Sequence, residues 1–382
     1  MQKKINKWVW IIAAIVSVVI IACSTWLGLV LKDRNRGSKS EYDALFDSAN
    51  KVVLFIGDGM GDNHIKTASA YLEKDIFFTG FEIKGHCTTN SNAILSPTDS
   101  AAAASALATG QKFDNSEVSR HNGKDITTIS ELAMSKGYGV GIVTTDSLSG
   151  ATPASFSSHA NKRGDTEEII TGQIKSNIKL FLGAGKSDYD NFQTQIELKG
   201  YTYISDYSLL ANTDSKVFGA FERVGSRDGT NTIPTLEMLT TFAIDYMENN
   251  CPQGYFLMIE GAHIDKRSHS NNIESMIRYL DNFDASIKCV YDKIASQKAT
   301  AIIVTADHET GGLKYNGETK SQISDSMYTR TGHSSADVPY YVHLNIAKTI
   351  DVAKIFLPVI DNTNIFRMCK SCLGLATSKS DN

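Results

Sequence analysis

The sequence predicts an α/β fold: a three-layer, doubly wound domain with a mainly parallel central sheet and helices on both faces. Three observations predict it. Four short apolar, β-branched runs stand out, "KVVLFIGDG" over 51–59, "YGVGIVTTD" over 138–146, "GYFLMIEGAHID" over 254–265 and "TAIIVTADHE" over 300–309. Such continuous runs suit strands buried on both faces. Helical patterns over 125–136, 234–248 and about 272–298 separate them, and strands alternating with helices give parallel sheets. The runs also end in acids and a histidine, Asp58, Glu260, Asp265, Asp307 and His308. Ligands of such sheets bind outside the carboxyl ends of the strands.

Taken from the N-terminus, the chain opens with Lys3, Lys4 and Lys7 before an apolar run from Trp8 to Leu31. That run exceeds the roughly 20 residues a membrane span needs, and Trp8, Trp10 and Trp26 suit its interfaces. Residues 1–31 are read as a signal anchor, the N-terminus cytoplasmic and the bulk periplasmic or at the cell surface. "VVIIAC", ending at Cys23, loosely resembles a lipoprotein cleavage box, but the following "STWLGLVL" is too apolar for a flexible tether. Residues 32–50 read as a polar linker, 51–360 as the catalytic domain and 361–382 as a tail. The 382 residues carry a net charge of −4 with 21% charged, so no basic excess points to nucleic acid. Six cysteines form no dense pattern. Outside the cytoplasm they permit one or two bridges, such as Cys251 to Cys289 or within "CKSC" at Cys369 and Cys372, and the latter pair reads equally as half a metal site or two idle thiols.

In the domain itself, "SPTDSAAAASALATG" (96–110) combines the best helix former with the capping types Ser, Thr and Asp. Ser100 is either an ordinary cap or a hydroxyl held where an anion meets a helix N-terminus. A lone Asp after a strand is ordinarily a cap or turn residue. Carboxylates from four strand ends at one sheet edge would repel one another without a cation. Asp265 and His269, four apart, share a helical face. Asp307 and His308 are adjacent, and His333 lies in the loop "TGHSSAD". Mixed His and Asp sets suit zinc, and oxygen-only sets suit magnesium. The remaining histidines, His64, His86, His121, His159, His263 and His343, are assigned to surface or core.

"VVLFIGDGMG", "TDSAAAASALATG", "ATPASFSSHANKR", "IEGAHIDKRSH", "VTADHETGG" and "TGHSSADVP" occur in this order over roughly 51–345. In them the chain resembles the alkaline phosphatases. The resemblance implies hydrolysis of phosphate monoesters through a phosphoserine on Ser100. It implies two zinc ions, one held by Asp58, Asp307 and His308, the other by Asp265, His269 and His333. It implies a magnesium ion at Asp58, Thr152 and Glu260, and Arg163 as the phosphate clamp. It also implies small phosphomonoesters as substrates and allows a homodimer, a common assembly of the family. Metals activate a weak serine nucleophile and stabilise attacking and leaving oxygens of an in-line displacement. A guanidinium binds two phosphate oxygens in a planar fork.

One position departs from the family pattern. Two residues before Thr152, relatives usually carry an Asp or His that helps the magnesium ion through its waters, and this chain has Gly150. The third site is therefore expected to be weak, and Lys266 to lack an acidic partner and reach toward substrate phosphate. The interval from His308 to His333 is short, as in compact bacterial-type members. A sulfatase reading lacks its "CxPxR"-type motif, and a phosphodiesterase reading does not account for the Arg163 and magnesium motifs. A non-catalytic metal-binding surface protein does not account for nucleophile, ligands and arginine together.

Overall fold

The computed structural model describes residues 49–93, 96–211, 213–226, 233–346 and 358–375. The apolar run over 8–31 and most of the linker lie outside the described residues. Among the described residues no helix is long and apolar enough to cross a membrane.

The strands are β1 (Lys51–Ile56), β2 (Ile83–Thr88), β3 (Arg120–His121), β4 (Lys124–Asp125), β5 (Gly139–Ser147), β6 (Leu180–Ala184) and β7 (Tyr201–Ile204). They continue with β8 (Lys216–Phe221), β9 (Tyr255–Glu260), β10 (Thr300–Thr305), β11 (Glu309–Thr310), β12 (His333–Ser334), β13 (Val338–Asn345) and β14 (Val359–Asp361). Ten of them form one sheet in the order β14-β2-β13-β10-β1-β9-β5-β6-β8-β7. Within it, β13 runs antiparallel to both neighbours, and the other pairings are parallel. β3 with β4, and β11 with β12, make two small separate hairpins.

The four expected strands are the sheet's centre, adjacent as β10-β1-β9-β5. Their apolar runs are continuous because both faces are covered: Val52 to Ile56 are wholly buried, as are Tyr255 to Ile259. Register brings their C-terminal ends level. Ile56 is opposite both Thr305 and Glu260, and Glu260 is opposite Thr144. The residues that follow these four are thus delivered to one edge.

The helices that matter for that edge are α1 (Asp62–Leu72), α2 (Ser100–Thr109), α3 (Ile129–Ser135), α4 (Ala151–Ser157), α5 (Leu236–Asn250), α6 (His263–His269), α7 (Ile273–Ile294) and α8 (Thr363–Cys372). α7 buries Ile273, Met276, Ile277, Leu280, Phe283, Ile287, Val290 and Ile294, the spacing of one helical stripe, and packs on α5. The helix expected from 125 starts only at Ile129. Thr128 caps it, taking the Glu131 N–H at 3.2 Å while the Glu131 carboxylate takes the Thr128 N–H at 2.8 Å. The strand expected to 265 ends at Glu260. A turn at Gly261 and Ala262 hands the chain to α6, which carries Asp265.

Two expectations change at the level of the fold. Residues after 360 are not all tail: β14 pairs with β2, and α8 packs on α2. The Cys372 carbonyl accepts the Ala49 N–H at 2.8 Å, tying α8 to the chain entering β1. No disulfide joins the described cysteines, Cys87, Cys251, Cys289, Cys369 and Cys372. Burial, which raises the Cys87 thiol pKa, makes Cys87, Cys251, Cys369 and Cys372 packing residues, and Cys289 is half-buried.

Candidate active site

The site is assembled from the four central strand ends and the N-terminus of α2. Asp99 caps α2: its Oδ1 accepts the Ala102 N–H at 3.0 Å, and its carboxylate also takes the Ser116 N–H. Ser100 is therefore not the cap. It is the first helical residue, its hydroxyl free of capping duty, 4% exposed and 3.2 Å from His308 Nε2. All ten residues of α2 are buried. The small side chains permit close packing, as where Ser105 Oγ donates to Ser155 Oγ of α4 at 3.1 Å.

Around His308 Nε2 the loops after β1 and β10 converge. Asp307 Oδ2 lies 3.3 Å from it and Asp58 Oδ1 3.4 Å. Asp307 Oδ1 accepts the Gly59 N–H at 3.1 Å and the His308 N–H at 2.9 Å, which fixes its carboxylate and leaves Oδ2 to face the histidine. Gly59 has φ +72, and a Cβ there would meet Asp265 at 2.8 Å. The close approach requires glycine.

A second group sits beside the first. On α6, Asp265 Oδ2 is 3.3 Å from His269 Nε2, and Asp265 Oδ1 is 3.6 Å from His333 Nε2 of β12. The His333 Nδ1 points at the Thr98 carbonyl at 2.8 Å, and the His269 Nδ1 at the Thr331 carbonyl. A carbonyl only accepts, so each Nδ1 carries the proton. The two Nε2 atoms stand 3.1 Å apart, both beside the Asp265 carboxylate. That arrangement suits a cation between them. The rings of His308 and His333 stack with centroids 3.6 Å apart, so the two groups adjoin. Asp265, His269 and His333, and likewise Asp58, Asp265 and His308, have their ligating atoms within 4.8 Å of one another.

The third group lies where β5 and β9 end. Glu260 is 1% exposed, as is Thr152 in the first turn of α4. Thr144 Oγ1 donates to Glu260 and accepts the Asp146 N–H at 2.9 Å. Arg163 is more open, its side chain 41% exposed, with Nη1 3.5 Å from Asp99 Oδ2.

Electrostatics ask for positive charge at these groups. Burial, then repulsion from Asp307, Asp265 and Glu260, holds the Asp58 carboxyl well above its ordinary range. Burial also raises Asp307 despite the Gly59 hydrogen bond, with the Asp265 charge adding to it. Glu260 is raised to about 7 by burial and the Asp146 charge. Burial also acts upward on Asp265, but the His269 hydrogen bond, the neighbouring His308 and the Thr310 hydroxyl outweigh it and hold the carboxyl low. Asp58 Oδ1, Asp307 Oδ2 and Thr152 Oγ1 are buried without a hydrogen-bond partner. Buried polar atoms are ordinarily paired. Three orphans among carboxylates and imidazoles are the donor set divalent cations take.

One expectation is corrected. Lys266 does have an acidic partner: its Nζ is paired with Asp146 Oδ1. The expectation that Gly150 leaves Lys266 without an acid does not hold. Asp146 ends the run "YGVGIVTTD", just as Asp58 and Asp307 follow theirs, and the same strand-end rule singles it out. Thr310, which donates to Asp265 Oδ1 and lies 3.2 Å from His308 Nδ1, carries no comparable sequence signal. His64, assigned to surface or core, is buried beneath α6 and contacts Ser268 Oγ at 3.1 Å.

The family model described as alkaline phosphatase matches residues 49–355. The chain belongs to the alkaline phosphatase family. It is a phosphoric monoester hydrolase. Alkaline phosphatase 3 of Bacillus subtilis (strain 168) is 32% identical over 347 residues, 84% of this chain and 73% of that protein. Among solved structures, the alkaline phosphatase of the Antarctic bacterium TAB5 superposes with a TM-score of 0.72 at 26% identity. The match covers 87% of this chain and all of the other. One variant of the TAB5 enzyme is described with magnesium bound in its M3 site. The Thermus thermophilus alkaline phosphatase shares the fold, with a TM-score of 0.76 at 18% identity over 88% and 94% of the two chains.

Proposed function

We propose that Ser100 is the nucleophile of this phosphomonoesterase and that three cations flank it. Asp58, Asp307 and His308 hold one zinc ion, and Asp265, His269 and His333 hold a second. Asp58, Thr152 and Glu260 hold magnesium, the metal described in the TAB5 variant. When bound, such ions neutralise developing charge and lower the pKa of hydroxyl groups and water. The observation that carries the reading is the convergence on His308 Nε2. Ser100 Oγ stands 3.2 Å away, and the unpaired carboxylate oxygens of Asp307 and Asp58 stand at 3.3 and 3.4 Å.

The chain's own residues then divide the work. The Ser100 hydroxyl gives up its proton as its oxygen bonds to phosphorus and the ester P–O bond breaks, and the departing alkoxide takes up one proton in exchange to become the alcohol. Water attacks the phosphoserine, inorganic phosphate leaves, and Ser100 regains its proton. Arg163, loosely held by Asp99, binds two phosphate oxygens with its planar fork. α2 turns its first N–H groups toward the same place, where negative charge is favoured.

Small phosphomonoesters are the substrates. The purified enzyme is expected to turn over a chromogenic phosphomonoester and to leave the matching diester and sulfate ester largely untouched. Ser100→Ala is expected to lose at least about 10³-fold in kcat while keeping metal content and fold. Chelation is expected to abolish turnover, and zinc plus magnesium to restore it. Full activity in a sample shown by metal analysis to be zinc-free refutes the two-zinc assignment.

The location follows from the N-terminal sequence. Lys3, Lys4 and Lys7 before the apolar run over 8–31 support an anchored enzyme with its catalytic domain outside the cytoplasm. Release of the full chain from membranes by detergent, and not by high salt, tests the anchor. Light scattering of the solubilised enzyme tests the homodimer.

A further inference from the structure

The turn that delivers Ser100 has no ladder to hold it. Residues 96–99 belong to no helix or strand, so their backbone groups need other partners. One side chain supplies two of these. Asn115 Nδ2 donates to the Pro97 carbonyl at 3.1 Å, and Asn115 Oδ1 accepts the Asp99 N–H at 3.3 Å. The amide thus brackets Thr98, which is buried and whose own carbonyl faces His333 Nδ1 at 2.8 Å. The Pro97 carbonyl, the Thr98 carbonyl and the Asp99 N–H, which lead into the serine, are therefore pinned from two sides. The residues after Asn115 strap this turn to the rest of the site. The Ser116 N–H donates to the Asp99 carboxylate, and the Ser116 carbonyl accepts the Arg163 N–H at 2.7 Å. Ser116 does so at φ +78, a left-handed backbone that a non-glycine residue keeps only where its surroundings enforce it. Further along, Val118 and Ala160 exchange backbone hydrogen bonds at 3.2 and 2.9 Å, and the Ser119 N–H donates to Ser105 Oγ of α2 at 2.8 Å.

We propose that Asn115 is a positioning residue for the nucleophile: by holding the Pro97 carbonyl and the Asp99 N–H with one amide, it sets where Ser100 Oγ stands. This rests on the reading of Ser100 as the nucleophile. The strap divides its work between neighbours. Asn115 acts on the backbone leading into the serine, and the backbone of Arg163 is held by the Ser116 carbonyl, which remains when the amide is removed. α2 also stays capped, because the Asp99 carboxylate keeps the Ala102 and Ser116 N–H groups. Loss of the amide therefore frees the serine and spares the phosphate clamp. Attack needs the reacting atoms close and aligned, so a shift of about 1 Å is enough to cost on the order of 10²-fold in rate.

The test is single-turnover release of a chromogenic alcohol by excess full-length enzyme loaded with zinc and magnesium, which reads attack by the serine apart from later steps. Melting temperature, metal content and inhibition by inorganic phosphate are measured on the same samples. Asn115→Ala is expected to slow alcohol release about 10–100-fold, with the phosphate inhibition constant nearly unchanged. Asn115→Asp keeps an acceptor for the Asp99 N–H but sets a carboxylate oxygen against the Pro97 carbonyl. It is expected to show a comparable loss, and it carries the test if the alanine variant folds poorly. A lower melting temperature with an unchanged single-turnover rate in both variants makes Asn115 a structural residue alone and overturns the proposal. A rate loss matched by an equal weakening of phosphate inhibition also overturns it, because the strap then acts through Arg163. Ser100→Ala separates the two readings. If that variant is inactive while both Asn115 variants keep the parent rate, only the role of Asn115 falls. If Ser100→Ala itself releases alcohol at the parent rate, the nucleophile assignment falls with it.

Discussion

A serine hydroxyl 3.2 Å from a histidine nitrogen is also the distance of a nucleophile and its general base, so the two roles of His308 have to be weighed. A base works best with a pKa near the working pH. His308 is wholly buried, and burial together with His333 lowers its pKa to about 3. Two carboxylate oxygens without hydrogen-bond partners face the same nitrogen. A neutral imidazole among unpaired carboxylates suits a ligand better than a base, which favours the proposed activation of the serine by a metal ion. Arg163 acts differently. Its side chain is 41% exposed and touches Asp99 only at 3.5 Å, so it contributes little to the fold. Arg163→Lys is expected to leave thermal stability nearly unchanged and to weaken inhibition by inorganic phosphate about 10–100-fold. That is the order of one charge-assisted hydrogen bond, about 1.5–3 kcal/mol. An unchanged phosphate inhibition constant places the phosphate elsewhere.

At the scale of elements, α2 carries the nucleophile and needs both ends fixed. Asp99 holds the start. At the finish Gly110 takes φ +74, its N–H bonding the Ala106 carbonyl at 2.9 Å, and a Cβ there would meet the Phe366 ring of α8 at 2.5 Å. Gly110→Ala therefore combines a left-handed backbone with a clash. It is expected to cost about 1–3 kcal/mol, read as a lower melting temperature, with KM for the phosphomonoester nearly unchanged. α8 was not legible in the sequence: "TNIFRMCKSC" mixes polar and apolar residues, and nothing local says which body its apolar stripe meets. The central strands were legible because burial on both faces leaves continuous apolar runs. The outer ones were not. Leu180–Ala184 is only five residues long, and Val338–Asn345 carries Pro339 and runs against its neighbours.

At the scale of the whole molecule, the sheet gathers acids that the fold alone does not compensate. The sequence could reveal that crowding, because strand ends on one edge follow from a parallel topology. It flags Asp146 as a strand-end acid but does not show that this acid pairs with Lys266, since that depends on how α6 packs against the end of β5. The crowding has a measurable cost. Burial, with the Asp146 charge beside it, pushes the Glu260 carboxyl of the folded chain up to about 7, against an ordinary value of 4.5. Below 4.5 it is protonated whether folded or unfolded and takes nothing from stability. As pH rises from there, the unfolded chain releases a proton that the folded chain retains, so stability falls, and the loss is complete above about 7. Asp58 and Asp307, also raised, add to the loss in the same direction. Asp265 is shifted downward, so its change lies below the ordinary carboxylate range and outside this window. Bound cations favour the ionised carboxylates and remove the cost. The chelated enzyme is therefore expected to melt at steadily lower temperature from about pH 5 to about pH 8, and the zinc- and magnesium-loaded enzyme to change much less. Glu260→Gln has no charge to bury at 260, and its chelated form is expected to show a shallower decline over the same range. An equally steep decline in chelated Glu260→Gln, measured by melts at matched ionic strength, assigns the pH dependence to other groups.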